Sequence, residues 1–494
     1  MAGTDKKATS ARVIPIVPVA NGGAGGDAAQ LVSLYEKQPK IHPRAVHGWF
    51  AAWRWTLVWL TQALFYGLAW LPWNGRQALL FDLTARRFFI FDLVLYPQDF
   101  IYLTGLLVIC AFALFLFTAV AGRLWCGYAC PQTVYTEIFL WTERLFEGDR
   151  NQRLKLDAGP WGWQKLWRKF GKHFTWGAIA LWTGFTFVGY FTPIRTLAAE
   201  VTQFNLGPWE TFWVLFYGLA TYGNAGYLRE QVCKYMCPYA RFQSAMFDHD
   251  TLIISYDQAR GDPRGTRARS ADLQQLGLGD CIDCGLCVQV CPTGIDIRNG
   301  LQYECIGCAA CIDVCDSVMD KMRYPRGLIK YATQTGMEQK LTSRQMMARM
   351  LRPRILIYSG ILTAISLGLV ASLAMKSPFK VDVVRDRGSL ARIAGEGHVE
   401  NVYRLQLMNA TEQSQRLQVQ VTGLPGAKVT GLAEVQVEAT EARWFPVVVQ
   451  VPHESARQLS AGAHPIQFRI ERLSSDGQDD NASVVEKSTF VIPR

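Results

Sequence analysis

Apolar positions in this chain are clumped, not dispersed. Trp55 to Gly75, Phe100 to Gly122, Phe174 to Ile194 and Ile355 to Met375 contain no charged side chain, and Thr211 to Leu228 is a shorter run of the same kind. A helix that crosses a bilayer needs about 20 mostly apolar residues. The pattern therefore predicts about five transmembrane helices. Phe88 to Phe100 is apolar but carries Asp92 and Asp99, so it is expected to be an interfacial approach to the second span. Beyond Val381 the period changes to two. Tyr403–Asn409, Leu417–Val421, Val435–Val437, Trp444–Val451 and Ile466–Ile470 read as short strands separated by turn residues,. Strands at this spacing predict an all-β immunoglobulin-like sandwich. That segment has no cysteine, hence no inter-sheet disulfide, and its His398, His453 and His464 are scattered.

The first 48 residues are polar and rich in Gly and Ala, with GGAGG at Gly22 to Gly26. No apolar stretch with a cleavage site follows their basic residues, and no strand precedes the glycines. A flexible tail is expected there.

Charge then orients the spans. The net charge is +10, but its placement points to a membrane and not to nucleic acid. Lys6, Lys7, Arg12, Lys37, Lys40 and Arg44 precede the first span; Arg123, Arg144, Arg150, Arg153 and Lys155 are among the basic residues after the second; Arg264, Arg267 and Arg269 follow the fourth. The intervening loops are poor in basic residues. Cytoplasmic loops carry the excess of Lys and Arg. The N-terminus is thus predicted inside and the C-terminal sandwich outside. There are 13 cysteines, and all but Cys110 fall on the predicted reducing side. Cys110, inside the second span, reads as a small packed hydrophobe.

Between the fourth and fifth spans the chain reads CIDCGLCVQVCPTG and then CIGCAACIDVCDSV. This is C-x2-C-x2-C-x3-C twice, the pattern of two-cluster bacterial ferredoxins, in which the fourth cysteine of each motif serves the other cluster. One 4Fe–4S cluster is expected on Cys281, Cys284, Cys287 and Cys315, the other on Cys305, Cys308, Cys311 and Cys291. Pro292 follows the first motif, whereas Asp316 stands where the second proline is usual. Zinc sites favour two CxxC pairs across a longer loop. Two clusters of this kind move electrons singly.

Two further stretches, CGYACP (Cys126 to Pro131) and CKYMCP (Cys233 to Pro238), lie just past the cytoplasmic ends of the second and fourth spans. If each pair sat on one helix, its thiols would share a face, and the proline would end or kink the turn. Cys126, Cys130, Cys233 and Cys237 are therefore candidates for a redox-active metal site or a reactive dithiol. Soft thiolates favour Cu(I), zinc or iron–sulfur, and the Met236 thioether would suit Cu(I). His249, nearest in sequence, is expected to be a surface residue.

Several stretches together resemble the cytochrome c oxidase accessory family known as CcoG, FixG or RdxA. They are WNGRQALLFDL (Trp73 to Leu83), PQDFIYL (Pro97 to Leu103), GRLWCGYACPQTVYTEIF (Gly122 to Phe139), REQVCKYMCPYARFQSAMFD (Arg229 to Asp248) and the double ferredoxin motif. The resemblance implies a bacterial inner-membrane protein that reduces Cu(II) to Cu(I) in support of cbb3-type oxidase assembly. Its partners would be copper ions, a copper chaperone or assembly factor, and a cytoplasmic electron donor. It also implies that the two CxxxCP pairs serve copper. Two other readings stand beside it. One is a quinol-oxidising membrane electron-transfer subunit, the other a non-enzymatic assembly scaffold. The expected architecture is a multidomain membrane protein: tail 1–48, four helices with the CxxxCP pairs in 49–250, an inserted ferredoxin domain in 251–350, a fifth helix in 351–376 and the sandwich in 377–494.

Overall fold

The computed structural model describes residues 40–493 except 271–275, 350, 387, 389–390, 432 and 474–481. The expected flexible tail lies outside the described residues as far as residue 39. Residues 41–48, also assigned to that tail, are instead fixed to the folded part. Arg44 N–H donates to the Gln289 carbonyl at 2.8 Å, and Ala45 N–H donates to the Asp149 carboxylate at 3.0 Å. Backbone donors, invisible to composition, fasten this arm.

Among the described residues two helices, Pro97–Ala121 and Pro353–Ala374, are long and apolar enough to cross a membrane. They lie side by side, with Tyr102 Oη donating to the Ser372 carbonyl at 3.3 Å. The other expected spans are helical but differ in their limits. The first is Trp49–Trp70. It starts before Trp55 because Asp313 accepts the N–H groups of Phe50 and Ala51 at its N-terminus. It ends before Pro72, whose ring pushes Leu71 into extended backbone,. The third, Trp163–Val188, begins with a basic, Trp-rich stretch. The fourth is Pro208–Gly223 continued by a π-helical turn, Asn224–Leu228. These two pack closely: a Cβ on Gly184 would stand 2.3 Å from the Val214 carbonyl oxygen. Cys110, expected to be packed, is instead exposed on its helix among the described residues.

Phe88 to Phe100 leads into the second helix and is not itself a span, and its secondary structure as far as Leu95 is β. It supplies two strands, Arg87–Ile90 and Leu93–Leu95, of a three-stranded antiparallel sheet begun by Leu79–Asp82. Leu80, Phe89, Val94 and Tyr96 bury their side chains with Met408 of the sandwich. Alternation, not hydrophobicity, was the relevant signal there.

The C-terminal segment is a two-sheet sandwich. One sheet runs Lys428–Thr430, Ala442–Val451, Val399–Asn409, Phe379–Arg385; the other runs Glu434–Val437, Gln415–Thr422, Gly462–Leu473, Ser483–Ile492. Inward positions alternate, so Leu405, Leu407, Val447 and Val449 of one sheet meet Leu417, Phe468 and Ile470 of the other. All five predicted strands fall inside observed ones. The sandwich is anchored to the segment before helix Phe100–Ala121. Tyr96 Oη donates to the Asn409 and Thr440 carbonyls at 2.8 and 3.0 Å, Lys376 and Lys380 both pair with buried Asp99, and Arg76 pairs with Glu412.

The inserted segment closes with two antiparallel strands, Ile253–Tyr256 and Ile329–Ala332. Between them lie short helix Leu286–Gln289 and helix Ala310–Met322, packed over Ile254, Ile312, Val318, Met319 and Leu328.

Candidate redox site

The eight ferredoxin-pattern cysteines sort into two cavities. Cys281, Cys284, Cys287 and Cys315 line one. Cys291, Cys305, Cys308 and Cys311 line the other, with Cys287 also on its wall. The first three cysteines of each motif curl round one cavity, while helix Leu286–Gln289 or Ala310–Met322 carries the chain on to the fourth. The curl needs left-handed backbone on both sides of the middle cysteine: Asp283 and Gly285 (φ 52° and 64°) in one motif, Gly307 and Ala309 (φ 70° and 58°) in the other. At Gly307 the conformation and the space both demand glycine, because a Cβ would stand 3.1 Å from the Arg123 carbonyl oxygen,.

Burial and crowding act on these thiols. Burial first, and then neighbouring thiols, push Cys315 up to about 12. Cys305 is also raised to about 12 and Cys287 to about 11, burial leading in each case. Cys308 and Cys311 are raised as well. Thiols held so far from ionisation become thiolates together only around a multiply charged metal core. Soft donors, grouped in fours around two adjoining cavities, fit 4Fe–4S clusters. Among the described residues no three His, Cys, Asp or Glu side chains converge tightly enough for a single metal ion.

The paired motifs are built differently from the expected helical i, i+4 pair. Cys126 sits in the short helix Leu124–Tyr128, and Cys130 is the residue before helix Pro131–Glu147. Cys233 sits in the π-helical turn Val232–Met236, and Cys237 precedes helix Pro238–Met246. Each proline starts a helix instead of kinking one. Its missing N–H costs nothing at the first position, and it forces the preceding cysteine into extended backbone. Gln132 and Thr133 backbone N–H groups then point at the Cys130 sulfur. The four thiols are mutual neighbours: Cys126 feels Cys130 and Cys233, and Cys130 feels Cys237. Burial, and then Cys130, push Cys126 up to about 12, while burial pushes Cys233 up to about 11. Cys126 lies 3.6 Å from the side-chain oxygen of fully buried Gln243. Met236 is 60% exposed on the outside of its turn. His249 stands apart, its carbonyl accepting the Thr335 N–H at 3.0 Å.

CGYACP is in direct contact with the ferredoxin unit. A Cβ on Gly127 would stand 2.8 Å from the Gly307 carbonyl and 2.9 Å from Cys308 Cα. Cys126 and Cys233 pack against Val290, Ile306, Cys308 and Val314. Tyr331 donates to the Gly307 carbonyl at 2.7 Å and braces the loop from its far side.

Sequence reasoning missed the charged residues around this contact. Arg54 and Arg123 are 7% and 6% exposed. Behind them fully buried Glu143 accepts from Arg153 at 2.9 Å and Arg229 at 2.8 Å, with Lys172 at 3.6 Å. In the sequence Arg123, Arg153 and Lys172 counted only toward the cytoplasmic charge bias, and Arg54 and Arg229 were assigned nothing. Glu143 shares its helix with Glu137, Arg144 and Glu147, so nothing in the local sequence singled it out.

Eight cysteines around two adjoining cavities, a third cysteine quartet against them and a covalently joined β-sandwich define an iron–sulfur redox protein. Comparison with known proteins agrees. Residues 103–149 match a 4Fe–4S binding domain, residues 228–334 a 4Fe–4S dicluster domain, and residues 369–493 the IG-like fold at the C-terminus of FixG. Nitrogen fixation protein FixG of Rhizobium meliloti is 38% identical over 81% of this chain and 83% of its own length. Proteins RdxB and RdxA of Cereibacter sphaeroides are 39% and 38% identical over 80% of this chain and 84% and 85% of theirs. The chain belongs to the CcoG/FixG/RdxA family.

Proposed function

We propose that this chain is a membrane-bound cupric reductase that supplies Cu(I) for assembly of a cbb3-type oxidase. The observation that carries the reading is the contact of Gly127, inside CGYACP, with Gly307 and Cys308 of the ferredoxin unit. It sets a soft donor group, of the kind that suits Cu(I) among other soft metals, against the ligand loop of a one-electron carrier. Bound 4Fe–4S clusters would supply single-electron transfer, held by the two cysteine quartets described above. The chain's own residues do the rest. Pro131 and Pro238 start the helices that present Cys130 and Cys237, and Gln243 accepts from Cys126. Each Cu(II) takes one electron to become Cu(I). The electron comes from a cytoplasmic donor, either an electron-transfer protein or a small thiol oxidised to its disulfide, two thiols per two coppers.

In this reading five helices cross the inner membrane with the N-terminus inside. The alternation of basic loops supports it, as do the two helices of spanning length. The sandwich then lies in the periplasm, where oxidase assembly factors are its expected partners.

The test uses full-length protein, purified anaerobically with its clusters reduced, to which Cu(II) and a Cu(I)-specific chromogenic chelator are added. Cys130→Ala and Cys237→Ala with full iron content are expected to lose Cu(I) formation. Equal rates in variants and wild type would show copper reduced elsewhere and overturn the reading. Cluster reduction by a quinol in the same preparation would favour the quinol-oxidising alternative.

A further inference from the structure

Arg54 lies near the start of helix Trp49–Trp70, 7% exposed, and its buried Nε has no partner. No hydrogen bond or ion pair joins Arg54 to any described residue. It lines the cavity that Cys308 and Cys233 also line. Cys308, Glu137, Tyr128 and Asp313 are the ionisable groups within its electrostatic reach. Arg123, 6% exposed, donates to the Ala240 carbonyl and leaves its Nε unpartnered. It stands within electrostatic reach of Cys126, Cys233 and Cys305. Neither cation forms an ion pair with a described carboxylate, and cations buried that way are costly.

The other cysteine quartet is surrounded differently. Its Cys284 is exposed. The neighbouring cation, Arg298, is spent on Asp296 at 2.7 and 2.8 Å and on Asp283 at 2.5 Å. Uncompensated positive charge is thus concentrated at the quartet that touches CGYACP.

Four thiolates outweigh the charge of an iron–sulfur core, and the reduced centre is the more negative form. Burial therefore lowers its potential, and a nearby cation raises it. We propose that Arg54 and Arg123 are the resident counter-charges of the inner centre, the one on Cys291, Cys305, Cys308 and Cys311, and that they offset its burial enough to keep it reducible by the exposed outer centre. Arg54 is carried by a helix whose start is fixed by Asp313, between two cysteines of the same unit. Its position relative to Cys308 is thereby set from the ferredoxin side. The inference rests on the two-centre assignment and is independent of copper.

The test is an anaerobic potentiometric titration of the full-length protein followed by electron paramagnetic resonance, with Cys284→Ser marking the signal of the outer centre. Arg54→Gln and Arg123→Gln are each expected to lower the reduced-to-oxidised ratio of the inner centre about tenfold at fixed potential, about 59 mV for one electron. The outer centre should move much less, and Arg54→Lys and Arg123→Lys should keep the wild-type ratio. No shift, or equal shifts at both centres, would overturn the proposal. If the Gln variants lose iron, the Lys variants decide. Retained iron and potential support a charge role; loss there too makes the arginines packing elements, and the proposal falls. Iron content and the two signals report on the cluster assignment separately, and cupric reduction is not read.

Discussion

The Asp313 carboxylate lies 2.7 Å from the backbone nitrogen of Ala51 and 3.2 Å from that of Phe50. A residue between two cysteines of the ferredoxin unit thus caps the first long helix, where a negative charge also suits the helix dipole. Asp313→Ala is expected to cost about 1–2 kcal/mol and to lower the thermal midpoint of the iron-loaded protein. Asp313→Asn should cost less. An unchanged midpoint in Asp313→Ala would mean that the cap carries no stability.

Gly127 has no room for a side chain, since a Cβ would stand 2.8 Å from the Gly307 carbonyl oxygen. Gly127→Ala must lift CGYACP away from the ferredoxin loop. Iron content should survive, while Cu(I) formation should fall on the order of tenfold or more, as sub-ångström misplacements do in positioned reactions. Full activity in this variant would detach the contact from function.

Burial alone would raise Glu143, but hydrogen-bonded Arg229 and the adjacent Lys172 and Arg153 more than offset it and hold the carboxyl at about 2, below its ordinary 4.5. A carboxyl depressed by folding stabilises the protein fully above its unfolded value. That contribution is lost as pH falls from about 4.5 towards 2,, and amounts to on the order of 3 kcal/mol. Denaturation followed against pH should show it. Glu143→Gln should flatten this acid limb and destabilise the protein at neutral pH by about 3–5 kcal/mol, because buried Arg153 and Arg229 lose their carboxylate partner,.

Gly184→Leu should drive helix Trp163–Val188 away from helix Pro208–Gly223, because even a Cβ there stands 2.3 Å from the Val214 carbonyl oxygen. Small residues at such crossings let helix backbones approach. Overpacking of this kind costs about 1–3 kcal/mol. Gly177 is on the same helix, but a Cβ added there would meet nothing within 4 Å. Gly177→Leu should therefore accumulate like wild type in membrane fractions, and Gly184→Leu should not. Equal accumulation would contradict the packing.

What could be read from the sequence was what repeats. Period-two alternation in Leu417–Val421 and Ile466–Ile470 marks sandwich strands, and the cysteine spacing marks both quartets. Interactions at a distance were not legible. Nothing near Asp313 announces that it caps a helix beginning at Trp49. Arg54 and Arg123 look like ordinary basic residues near membrane ends until their burial sets them beside Cys308 and Cys305. In the CxxxCP pairs the turn ends before each Cys-Pro, as expected, but the start of a new helix at the proline was not foreseen. Proline breaks the interior of a helix, whereas Pro131 and Pro238 occupy the one helical position at which proline is favoured,.

The sandwich follows directly from helix Pro353–Ala374, and through Tyr96 it is also gripped just ahead of helix Phe100–Ala121. A domain hung from one point swivels. Hung from two, it holds the end of one helix and the start of the other at a fixed separation, so that the two apolar helices and the sandwich form a single frame.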